Sequence, residues 1–98
     1  MTLQHVVLFA FPEELSETDS ADMRRQVERW PEAIGGINRL RFGSDLTGER
    51  TRGYQYLLFT MFPSAEALAA YVAHPVHQQL LRFLDERSCT RLAFDYYV

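Results

Sequence analysis

The chain has 98 residues, with ten arginines and no lysine against 13 acidic residues, for a net charge of −3. That length argues for one domain, 1–98, able to bury a core without disulfides or a metal. The mildly acidic balance and the absence of a basic run exclude the electrostatic footprint of a nucleic-acid or anionic-membrane binder, the missing lysine excludes Schiff-base chemistry, and the single Cys89 excludes an internal disulfide and a multi-cysteine zinc site.

The longest apolar run is far shorter than a membrane span, and no basic leader precedes it, so the expected compartment is cytoplasmic. The first strand is Leu3 to Phe11, rich in β-branched and aromatic residues and ended by Pro12. The acidic, polar stretch that follows feeds a helix starting near Asp19, with Ser16 or Thr18 as its cap. Met23, Val27, Trp30 and Ile34 stand at i, i+4, i+7 and i+11 and form one apolar stripe. Pro31 disfavours a helical Trp30 and predicts a break there, and Gly35-Gly36 closes the element.

A second strand, Ile37 to Ser44, sets Leu40 and Phe42 against Arg39 and Arg41. DLTGERTRG, Asp45 to Gly53, is a charged hairpin loop. The third strand runs from Tyr54 to Phe62; Pro63 ends it, and Ser64 caps a helix through Ala65, Leu68, Ala69, Tyr71 and Val72. His74-Pro75 interrupts that helix, and Pro75 suits the first residue of the next, which carries Leu80, Leu81 and Leu84. The last strand is Cys89 to Val98. The order β-α-β-β-α-(α)-β predicts an α+β, ferredoxin-like fold with a four-stranded antiparallel sheet.

Both faces of this sheet are apolar. The first strand presents Leu3, His5, Val7, Phe9 and Phe11 on one side and Val6, Leu8 and Ala10 on the other. The third presents Tyr54, Tyr56, Leu58 and Phe62 against Leu57, Phe59 and Met61. Helices packed on one side require only one apolar face, and no segment is left to cover the second. A second copy of the same sheet is the simplest cover, which predicts a two-fold homodimer.

Few residues can carry chemistry. His5, inside an apolar strand, reads as a buried, hydrogen-bonded histidine or as a neutral imidazole able to move a proton, and position alone favours the first. The most distinctive segment is Tyr71-Val-Ala-His74-Pro75-Val-His77. Structurally it reads as a helix–helix corner, with His74 a C-terminal cap favoured by the helix dipole. Functionally it pairs Tyr71 and His77 as acid and base around a carbonyl, the phenol bonding a developing enolate while the imidazole takes the proton.

HPVH lacks the i, i+4 spacing and the glutamate of a helical zinc site, so no metal is expected. Cys89, at a strand start, reads as a small buried apolar residue rather than a thiolate. Asp95, among Phe94, Tyr96 and Tyr97, reads as a structural carboxylate bonded to backbone or an arginine. No GxSxG, GxGxxG or P-loop is present, so no nucleotide site is expected.

HVVLFAF, GYQYLLFTMF, AYVAHPVHQQL and LAFDYYV, in this order and spacing, resemble the stress-responsive dimeric A/B barrel (Dabb) family over nearly the whole chain. The resemblance implies a ferredoxin-like protomer, a homodimer whose two sheets form a barrel, a small-molecule pocket between sheet and helices, and no cofactor. One plant member is a polyketide cyclase that closes an aldol ring on a linear chain and retains its carboxylate. Its catalytic tyrosine and histidine fall on Tyr71 and His77. Its substrate-binding positions fall on His5, Val7, Phe9, Met23, Val27, Leu58 and Thr60, with Tyr56 in place of a further pocket histidine; His74, from the corner segment itself, is also expected to bind substrate. Ser88 replaces a pocket aromatic and Arg91 an apolar strand residue, and these departures argue against the same substrate. Tyr71, His77 and His5 are widespread in the family and do not separate cyclases from other members.

Three readings follow. The leading one is a homodimeric Dabb protein, stress-related, holding a small apolar or polyketide-like ligand, with no nucleic-acid or membrane partner. The alternative is a cofactor-free acid–base enzyme such as an aldol polyketide cyclase: His77 removes a proton α to a carbonyl, Tyr71 stabilises the enolate and His5 binds the substrate. The third, a cofactor-free monooxygenase on a related barrel, rests on fold analogy alone.

Overall fold

In chain order the elements are β1 (Leu3–Ala10), α1 (Glu17–Glu28), α2 (Trp30–Ala33), β2 (Arg39–Ser44), β3 (Tyr56–Phe62), α3 (Ala65–Ala73), α4 (Pro75–Glu86) and β4 (Thr90–Tyr97). The computed structural model describes residues 1–98. The strands form one antiparallel sheet in the order β2-β3-β1-β4, the ferredoxin-like arrangement.

Local chemistry sets the element ends. The Ser16 hydroxyl accepts the Asp19 N–H at 3.1 Å, so α1 begins at Glu17, two residues before the expected start, and Thr18 is inside the helix. The break falls at Arg29, one residue before the expected place, and Trp30 is helical after all as the first residue of α2; Pro31, in that helix's first turn, is where a missing N–H costs least. Gly35 and Gly36, at φ +77° and +73°, then turn the chain into β2, a conformation that favours glycine. Ser64 caps α3 by accepting the Ala67 N–H at 3.1 Å.

Four strands are shorter than the sequence suggests. Phe11 and Tyr54 lie outside β1 and β3 because Gln55 takes over the ladder: its side-chain oxygen accepts the Phe11 N–H at 2.7 Å and its amide donates to the Phe11 carbonyl at 3.3 Å. Ile37 lies outside β2, and Cys89 and Val98 outside β4.

The corner at His74 carries the expected C-cap of α3 and a second cap besides. His74 is extended at ψ 137°, and its Nδ1 accepts the Val76 N–H at 3.1 Å. His74 therefore serves both helices: its backbone N–H closes the end of α3 on the Tyr71 carbonyl at 3.2 Å, and its ring caps the start of α4.

The helices pack on one face of the sheet. Leu3, His5, Val7 and Phe9 of β1 alternate inward, and Leu58, Thr60 and Phe62 of β3 join them. Met23, Val27 and Trp30 close the layer from α1 and α2, Leu80 and Leu84 from α4. Arg87 ties the end of α4 to the start of α1 through two bonds to the Asp19 carboxylate, at 2.9 and 3.1 Å, while its guanidinium lies 3.7 Å from the Phe83 ring centroid. Those hydrogen bonds hold the Asp19 carboxyl below its ordinary range.

No element covers the other face. Val6 and Leu8 of β1 share it with Leu57 of β3 and with Leu92, Phe94 and Tyr96 of β4, as the pairings Val6↔Phe94 and Leu8↔Leu92 require. Phe94 is 67% exposed and Leu92 52%.

Candidate functional site

Tyr71 lies in the last turn of α3 and His77 in the first turn of α4. The extended His74 and the helix-starting Pro75 fold the two turns against each other, bringing the rings to 4.5 Å between centroids. Phe62 packs on Tyr71 from the sheet at 4.9 Å. Trp30 packs from the α1–α2 joint at 5.5 Å from Tyr71 and 5.2 Å from His77. The His5 ring, on β1, is 6.0 Å from Tyr71 in an edge contact. The corner segment and the strand histidine singled out in the sequence thus meet in one cluster.

Each polar group there has a definite state. Tyr71 is 1% exposed, and its hydroxyl has no hydrogen-bond partner. Burial pushes its pKa well above the ordinary value, so it is a neutral phenol and a donor. The His77 Nδ1 lies 3.1 Å from the Val72 carbonyl oxygen. A carbonyl only accepts, so Nδ1 carries the hydrogen and the neutral ring offers the Nε2 lone pair. Burial lowers the His77 pKa, against the opposing pull of the Val72 bond, with a further lowering from nearby His5 and Arg91. A neutral base next to a neutral phenol can take a proton and donate one at neutral pH.

His5 is oriented by a residue read differently from the sequence. Its Nδ1 bonds the carboxylate of Asp95, which therefore serves neither backbone nor arginine. The two residues are register partners across β1 and β4. The Thr60 hydroxyl donates to the His5 carbonyl at 3.3 Å from the other side. Cys89 is half-exposed rather than buried, and desolvation still raises its pKa, away from thiolate character.

The other anticipated pocket residues divide. Val7, Phe9, Met23, Val27 and Leu58 are all in the closed core of this layer, with Met23 and Val27 fully buried. Tyr56 is at the far end of β3, opposite Phe9, stacked on Phe42 at 5.7 Å with its hydroxyl 3.3 Å from Ser20. That is four residues, about 13 Å of strand, from Thr60, so Tyr56 is not part of the Tyr71 cluster. His74 is committed to its cap.

Side chains fill the space expected for an open pocket. A concavity of about 430 Å³ lies instead beneath the β2–β3 loop, lined by Leu8, Arg41, Leu46, Tyr54 and Leu57 among others. Neither it nor the four other well-formed concavities touches His5, Tyr71 or His77. No helix is long and apolar enough to cross a membrane.

Sequence reasoning missed two members of the site. Asp95 shares strand parity with Ala93 and Tyr97 rather than with Phe94 and Tyr96, which places it on the helix side, but its pairing with His5 depends on register. Trp30 was visible only as a core position in the apolar stripe.

Comparison with known proteins agrees with the fold. Olivetolic acid cyclase of Cannabis sativa is 23% identical over 78 residues, covering 79% of this chain and 77% of the cyclase. A dimeric ferredoxin-like protein of unknown function from Thermobifida fusca superposes with a TM-score of 0.85 at 21% identity, covering 100% of this chain and 92% of that one. Hydroxynitrile lyase from Passiflora edulis superposes equally well, TM-score 0.85, at 14% identity, covering 99% and 93%. The model of the stress responsive A/B barrel domain family matches residues 3–98, and the chain belongs to that family, Dabb.

Proposed function

We propose that two copies of this chain pair through their open sheet faces, and that each protomer binds a small, largely apolar molecule between sheet and helices at Tyr71 and His77. The observation that carries the ligand site is the Tyr71 hydroxyl, sealed from water with no partner beside a neutral imidazole. Leaving a buried donor unpaired costs about 1–3 kcal/mol, which a purely structural tyrosine would avoid by bonding a neighbour. A ligand acceptor would satisfy it. The dimer is supported by the exposed Leu92 and Phe94 on an uncovered apolar face, and by the dimeric Thermobifida fusca neighbour.

The test is a titration of the chain with neutral ketones, followed by thermal unfolding. Wild type is stabilised; Tyr71→Phe folds but loses the response. A wild type indifferent to aromatic and aliphatic ketones alike rejects the ligand site.

A second reading adds chemistry, and the tautomer of His77 favours it. With Nδ1 held by Val72, Nε2 is the free base. His77 would take a proton α to a carbonyl, Tyr71 would donate to the enolate oxygen, and His5, fixed by Asp95, would line the site. The similarity to olivetolic acid cyclase points the same way. On this reading His77→Ala abolishes turnover of a polyketide-like substrate with the fold intact, and unchanged turnover rejects it. Monooxygenase chemistry has no support beyond the shared fold.

A further inference from the structure

Three buried side-chain polar atoms lack a hydrogen-bond partner: Gln26 Oε1, Trp30 Nε1 and Tyr71 Oη. Two of them belong to one cluster. The rings of Trp30, Tyr71 and His77 touch pairwise, with centroids 5.5, 5.2 and 4.5 Å apart. Trp30 is fully buried, and an indole N–H can only donate. Packing alone would be served by an apolar ring with no donor to strand. Gln26 lies one turn earlier on α1, yet its oxygen and the indole N–H are not paired.

We propose that Trp30 is a ligand-contacting residue: its indole N–H and the Tyr71 hydroxyl donate together to one carbonyl oxygen of a neutral, largely apolar ligand. This rests on the reading of Tyr71 as a ligand donor and adds a second contact and the ligand's charge. A carbonyl oxygen has two lone pairs and accepts both donors at once. A hydrocarbon would leave both donors unsatisfied. A carboxylate would bring a charge into a buried cluster whose members are neutral aromatics, where an unpaired ion is costly. Arg91, the cation acting on His77, is itself engaged by Asp85 at 3.0 Å. Trp30 is the first residue of α2, just past the end of α1.

Trp30 is the sole tryptophan, so the protein has one indole N–H resonance. The full chain is titrated with acetophenone, and separately with ethylbenzene, which has the same shape without the oxygen. Acetophenone is expected to move the indole cross-peak downfield to saturation; ethylbenzene is not. Trp30→Phe is expected to weaken acetophenone binding about tenfold, the loss of one hydrogen bond, and to leave ethylbenzene within about twofold.

An unmoved indole resonance, with acetophenone binding still dependent on Tyr71, overturns the role of Trp30 and leaves the Tyr71 site standing. Equal shifts with both probes overturn it too, because contact without donation moves both. No saturable binding of acetophenone to wild type overturns the role of Trp30, and the Tyr71 site falls with it when aliphatic ketones fail to bind as well. The wild-type titration decides the matter if Trp30→Phe fails to fold.

Discussion

Asp95 stands directly across the β1–β4 ladder from His5, and its carboxylate takes the His5 Nδ1 hydrogen. The bond fixes a hydrogen on Nδ1 and holds the ring edge-on to Tyr71. Replacing Asp95 with alanine is expected to leave the sheet intact and cost about 1–2 kcal/mol, because the mostly buried His5 N–H loses its acceptor. Nitrogen chemical shifts of the imidazole report the change: one tautomer in wild type, a mixture in Asp95→Ala. A single tautomer in both would show that something other than Asp95 sets the ring.

Tyr71→Phe is expected to make the protein more stable. It removes a buried hydroxyl that bonds nothing and keeps the ring packed on Phe62 and Trp30. The gain is about 1–2 kcal/mol by urea unfolding at neutral pH. Alkali separates the two proteins further. The unfolded phenol ionises near pH 10 while the buried one stays protonated, so above that pH the unfolded state holds fewer protons and wild type loses stability. That part of the alkaline slope is absent in Tyr71→Phe.

Acid acts through His77. Its folded pKa lies below the unfolded value of 6.5 because burial disfavours the charged ring. Between those two values the unfolded state binds more protons, so stability rises with pH across the window and is lost as pH falls from about 6.5. His77→Gln, neutral throughout, is expected to flatten that slope by as much as one proton in unfolding curves from pH 7.5 to 5. An identical slope in variant and wild type would place the His77 pKa at its unfolded value.

The open face gives a prediction about assembly. Phe94→Glu puts a charge on a side chain already 67% exposed in the protomer, so the protomer fold is expected to change by less than about 0.5 kcal/mol. In a dimer paired through this face the same charge is buried without a partner, and light scattering is expected to show monomer where wild type is dimer. Wild type that is monomeric at micromolar concentration would rule out the pairing.

The elements, their order and the two apolar faces were legible in the sequence, because each is written by residues within a few positions. Ser16 and Ser64 cap their helices, Pro75 opens α4, Gly35-Gly36 ends α2, and alternation assigns the strand faces. Caps and turns are short-range hydrogen bonds, and periodicity is a property of one segment. The meeting of Tyr71 and His77 was legible for the same reason, since one corner joins them.

What only the tertiary structure decided is non-local. Asp95 meets His5 across 90 positions because of a register between strands at opposite ends of the chain. Trp30 looked like one more core residue until packing set its ring against Tyr71 and His77 and left its N–H unpaired. Residue types show which side chains can fill the layer between sheet and helices. Whether they fill it or leave a cavity depends on how their volumes interlock across four elements, and here they close it.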